Sequence, residues 1–114
     1  MPALKVRVHP EFVPELDLDG VLEIFSNAAE MADAELTVNE SEDEGPYIDY
    51  DFLTRDLARL WEVLQSQVFE DDVVGPQLAL ASIATCQNPR KRGEDLLLHH
   101  YDPGAALDTL PRVL

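Results

Sequence analysis

Carboxylates are the residues with the most evident chemistry. Glu15, Asp17 and Asp19 alternate ahead of Gly20 and Glu23, which imitates the start of a loop that wraps oxygen ligands around calcium. Such a loop ends on a bidentate Glu at its twelfth position. Ser26 stands there instead, and Pro10 and Pro14 deny the loop an entering helix. Acids at this place suit a helix start, where free N–H groups and the macrodipole favour them. His9, His99, His100 and Cys86 are soft-metal ligand types, but ligands must converge from one side. Adjacent strand residues such as His99 and His100 point to opposite faces. Neither a metal site nor a cofactor is expected. Asp49 and Asp51, beside Tyr47 and Tyr50, share a strand face and could divide acid and base roles as in glycoside hydrolysis, given a cleft. Lys5 and Arg7 offer them cross-strand pairing as a simpler role. The sequence holds no Gly-x-Ser-x-Gly, Walker, Cys-x-x-Cys or dinucleotide glycine pattern. No catalytic residue is assigned, and the chain reads as non-enzymatic. An enzyme built on His9, His99 or His100 requires an apolar pocket around a shifted histidine.

Elements that position these residues follow from periodicity. Residues 3–9 alternate Leu4, Val6 and Val8 against Lys5, Arg7 and His9, a half-buried strand. Val21, Leu22, Phe25, Ala28, Ala29 and Ala32 form one stripe, which predicts a helix over about 18–33 capped by Asp17 or Asp19. A short strand around Leu36 and Val38, a turn over Ser41–Pro46 and a strand over 47–53 read as a hairpin. Thr54 is read as the cap of a second helix, with Leu57, Leu60, Trp61, Leu64 and Val68 on one face, and Glu70–Pro76 as its stop. Residues 79–87 and 94–101 are read as two paired strands around an Arg90-Lys91-Arg92 loop. The order β-α-β-β-α-β-β predicts one α+β domain over residues 1–114. Its expected form is a ferredoxin-like split βαβ with an antiparallel-rich sheet and two helices packed on one face. On the open face Lys5 and Arg7 then lie beside Asp49 and Asp51.

Charge selects among function classes. The 114 residues carry 8 Lys and Arg against 23 Asp and Glu, a net charge of −15. An apolar share of 46% is enough for a core. Direct nucleic-acid binding and adhesion to anionic membranes are disfavoured by sign. The one cysteine cannot form an internal disulfide. With no signal-like or membrane-spanning run, a cytoplasmic location is expected. Residues 1–51 hold 14 acids and 2 bases, a local −12. The turn acids Glu40, Glu42, Asp43 and Glu44, followed by Tyr47, Asp49 and Asp51, are the candidate partner-binding residues, because dense like charge repels and invites a cationic partner.

A small, acidic, cysteine-poor chain without catalytic motifs resembles bacterial toxin-immunity proteins. That resemblance covers the chain in overall character and rests on no diagnostic motif. It implies an inhibitor that occludes a basic toxin or nuclease. The alternative is a small-molecule-binding or regulatory homodimer that associates through its open sheet face.

Overall fold

The computed structural model describes residues 2–43, 45–88, 90–91 and 93–110. Five strands form one antiparallel sheet in the order β2-β3-β1-β4-β5. They are β1 (Ala3–Val8), β2 (Glu35–Glu42), β3 (Pro46–Leu53), β4 (Ser82–Gln87) and β5 (Asp95–His99). Three helices accompany them: α1 (Leu18–Met31), α2 (Leu57–Leu64) and α3 (Val74–Ala81). Strict alternation puts Leu4, Val6 and Val8 of β1, with Ile48, Tyr50 and Phe52 of β3, on the buried side of the sheet. The stripes of α1 and α2 close over them. Phe25 of α1 packs 4.6 Å from Tyr50 and 5.8 Å from Phe52, ring centre to ring centre. Lys5, Arg7, Asp49 and Asp51 are left on the opposite face, as the alternation requires.

The α+β class and the antiparallel sheet agree with the sequence reading, while several details differ. The five strands match the expected number, one more than the plain ferredoxin-like pattern has, and the third helix was not expected. Residues 79–81, read as strand, belong to α3. Pro76 sits in that helix's first turn, where its missing N–H has no intrahelical partner to lose. The Asp71 carboxylate accepts from the N–H groups of Val73 and Val74 at 3.1 and 2.9 Å and starts the helix. Gly75 lets it begin close against the turn that ends at Phe69, since a Cβ there would collide with the Phe69 carbonyl. Thr54 is not the α2 cap. Asp56 is, accepting from the Arg59 N–H at 3.0 Å, while the Thr54 hydroxyl accepts from the Asp56 N–H. Past Leu64 the chain widens into a π turn over Gln65–Phe69, where the Glu70 N–H donates to the Gln65 carbonyl five residues back. This turn keeps Val68 in the core. The second strand is longer than expected, and β5 is shorter, ending at His99.

Candidate functional site

On the open face, cross-strand register sets Arg7 opposite Asp49 and Lys5 opposite Asp51. Arg7 holds Asp49 in a two-pronged grip, Nε to Oδ1 at 2.8 Å and Nη2 to Oδ2 at 3.0 Å. Lys5 Nζ lies 3.5 Å from Asp49 and 3.9 Å from Asp51, and the Asn39 amide donates to Asp51 at 3.2 Å. The Arg7 guanidinium also lies 4.0 Å above the Tyr47 ring. Its hydrogen bond to Asp49 is the main reason its pKa rises above the usual arginine range. The sequence reading treated Asp49 as partly exposed, whereas it is 7% exposed beneath this lattice. Both oxygens of this carboxylate are thus engaged by cations from β1. These contacts tie β1 to β3.

The hairpin acids lie elsewhere. Glu40 is opposite Ile48 and Glu42 opposite Pro46, so both fall on the helix side of the sheet. Glu40 contributes to holding the Tyr50 hydroxyl at a pKa of about 12, after burial. Asp43 occupies the turn, donating its N–H to the Gly45 carbonyl at 3.0 Å. Glu44 lies outside the described residues. The candidate residues paired in the hairpin thus divide between its two faces, Glu40 and Glu42 on the helix side and Tyr47, Asp49 and Asp51 on the open side. Among the described residues, no cation lies within ion-pair distance of Glu40, Glu42 or Asp43.

Beside Glu40, the space between α1 and β2 is an open groove of about 470 Å³. Leu22, Ala29, Ala34, Leu36 and Val38 line it together with the polar Ser26, Glu30 and Asp33. Leu22 and Val38 remain 42% and 40% exposed. Beside this groove α1 ends in a two-bond closure. The Ala34 N–H donates to the Ala29 carbonyl at 2.8 Å, and the Asp33 N–H to the Glu30 carbonyl at 3.2 Å. Asp33 holds the left-handed position with φ 53°, which glycine fills at no steric cost. Its carboxylate also sits at the negative end of the helix dipole, whose last turn carries no base. Both placements oppose stability, so Asp33 is poorly explained as a structural element.

A further cluster escaped sequence reasoning, because its members come from separate segments with no common spacing. His9 stacks on Phe12 at 4.9 Å, Tyr101 meets Phe12 at 4.9 Å, and His100 lies 4.4 Å from Tyr101. His9 has its pKa lowered, first by burial and then by Arg7. His99 turns to the other side, where Nε2 donates to the Ala79 carbonyl at 3.1 Å. Its pKa is lowered chiefly by burial. Cys86 is buried in β4, its pKa raised to about 11 by burial and the nearby Asp95 and Asp108. The two histidines and this thiol therefore do not converge. Among the described residues, no group of three or more His, Cys, Asp or Glu is placed to hold a metal ion. Nor is any described helix long and apolar enough to cross a membrane. Comparison with protein families, curated proteins and solved structures yields no match.

Proposed function

We propose that the chain is a non-enzymatic binding protein that docks the acidic side built by α1 and β2 on a basic partner protein. An immunity-type inhibitor covering a basic toxin or nuclease fits this reading. The observation that carries it is the contrast among the carboxylates. Asp49 and Asp51 are neutralised by Lys5 and Arg7, while Glu40 and Glu42 have no described cation within ion-pair distance and share the helix side of β2 with the exposed Val38. Unneutralised charge raises encounter rates with cations, and a water-excluding apolar centre supplies the lasting affinity. The proposed binding set accordingly becomes Glu30, Asp33, Glu40, Glu42 and Asp43, with Tyr47, Asp49 and Asp51 supporting it from beneath. We read the topology as a ferredoxin-like split βαβ core extended at one edge by β5. In that arrangement the β2 hairpin is the other edge and the natural docking element.

Capture on the immobilised full chain tests the proposal, run beside a Glu40→Gln, Glu42→Gln, Asp33→Asn chain. A basic protein retained at low salt, released at high salt and lost from the substituted chain is the expected outcome. Retention of nothing, or equal retention by both chains, overturns it.

A further inference from the structure

The outer side of β2 has a property that charge alone does not explain. It is an edge strand eight residues long, with seven residues exposed and only Leu36 half-buried. Every second residue of an edge strand turns its N–H and C=O away from the sheet, which makes a ready template for another strand. Strand neighbours lie about 4.8 Å apart. A strand added here would thus send alternate side chains into the groove over Leu22, Leu36 and Val38. Its other side chains would continue the polar open face beyond Thr37, Asn39 and Ser41.

We propose that β2 accepts an extended segment of a basic partner protein as a sixth strand. The segment is apolar at alternating central positions and cationic at both ends. The central apolar residues cover Leu22, Leu36 and Val38. The terminal cations reach Asp33 and Glu35 at one end of β2 and Glu40, Glu42 and Asp43 at the other. A second copy of this chain is the wrong occupant, since each copy carries a net charge of −15 and would bring its own Glu35, Glu40, Glu42 and Asp43 to the same edge. Charge complementarity therefore selects a basic strand over self-association. The inference rests on the docking reading and adds to it the backbone as the recognised element.

The test uses the isotopically labelled full chain and a capped synthetic peptide, Lys-Lys-Val-Thr-Val-Thr-Val-Lys-Lys. Two control peptides accompany it, one N-methylated at alternate central amides and one with serine in place of each valine. The expected result is low-salt binding that shifts and protects the amides of residues 35–42. N-methylation, which removes donors and blocks the strand edge, should weaken binding at least about tenfold. Serine in the peptide, or Val38→Ser in the protein, should weaken it about fivefold or more. Val38 is exposed, so that variant keeps its fold. Equal binding by the N-methylated peptide, with shifts still centred on Glu40 and Glu42, overturns strand addition and leaves acidic docking standing. Binding that shifts only residues outside α1 and β2 overturns both, as does absence of binding by every cationic peptide at low salt.

Discussion

The two edges of the sheet are finished differently. At β5 the chain covers its own edge: the Asp108 N–H donates to the Leu97 carbonyl at 2.7 Å, and the Asp108 carboxylate accepts from the Leu97 N–H at 2.8 Å. Leu110 then tucks in, buried beside this segment. At β2 no described segment does the same, and the edge carries Glu35, Glu40 and Glu42 instead. Charge keeps like edges apart and leaves the backbone accessible to an oppositely charged chain. One edge is covered by the chain itself, and the other carries acids, which makes it the edge that the proposed docking uses.

The contrast is first sharpened among the acids. Asp49→Ala should destabilise the protein by about 3 kcal/mol, because it strands Arg7 and Lys5 over a half-buried face. The figure is set below the fully buried case since the Arg7 side chain is 36% exposed. Urea unfolding reads it, and a loss under about 1 kcal/mol would mean that solvent already carries the pairing. Next comes the closed edge. Leu110→Ala should cost about 2 kcal/mol by emptying a buried site. It should also loosen the segment over β5, seen as faster amide exchange at Leu97. An unchanged exchange rate would show that Asp108 closes this edge alone.

Asp33→Gly should have the opposite sign. Glycine at the left-handed position relieves strain and removes a carboxylate from the helix C-terminus, for a gain of about 1 kcal/mol. Salt-sensitive binding of cations should weaken in the same variant. Stability gained with binding intact would separate Asp33 from the docking surface. Such trade-offs are expected where a site retains locally unfavourable residues.

Residues with a strong period were legible, and those whose role depends on remote neighbours were not. Leu4, Val6 and Val8 alternate, and Leu57, Leu60, Leu64 and Val68 recur at helical spacing, so β1, β3 and α2 follow from local pattern. Even the facing of Lys5 and Arg7 with Asp49 and Asp51 followed once β1 was placed beside β3. Ala79-Leu80-Ala81 has no such period, because small and apolar residues suit helix and strand equally. There the boundary is set by Pro76 in a first turn and by the Ser82 hydroxyl donating to the Leu78 carbonyl at 2.6 Å. The abundance of acids was equally plain, but which acids are neutralised is a tertiary fact. Asp49 and Glu40 are both acids on strands, and they differ in face, in strand position and in what stands opposite. The groove needed Leu22 and Val38 to be left uncovered together, which no spacing announces.

Acidity itself bears on the closed side through His99. With its pKa lowered by burial, the folded state binds fewer protons than the unfolded chain just below the ordinary histidine value of 6.5. The stabilisation present above that value is therefore lost as pH falls through the folded pKa. His9 acts in the same direction, again chiefly through burial. Urea midpoints should fall between about pH 7.5 and pH 5, and His99→Leu should flatten part of that slope. An identical slope in the variant would place the acid sensitivity elsewhere, with the carboxylates of the open edge as the next groups to substitute.

The smallest stability effect belongs to the residues given the largest role in binding. Glu40→Gln with Glu42→Gln removes two charges that pair with no described cation and face a crowd of like sign. Stability should change by no more than about 0.5 kcal/mol, and upward if at all, since relief of repulsion offsets any lost hydration. Binding of the cationic peptide should fall and lose much of its salt dependence, because that dependence measures the charges brought together. The alternative is a purely solubilising edge, in which case the variant would precipitate more readily while binding the peptide as before. A structural role would instead lower the urea midpoint. The two measurements together distinguish a surface retained for folding, one retained for solubility and one retained for a partner, since only the last predicts a folded, soluble protein that has lost its cationic ligand.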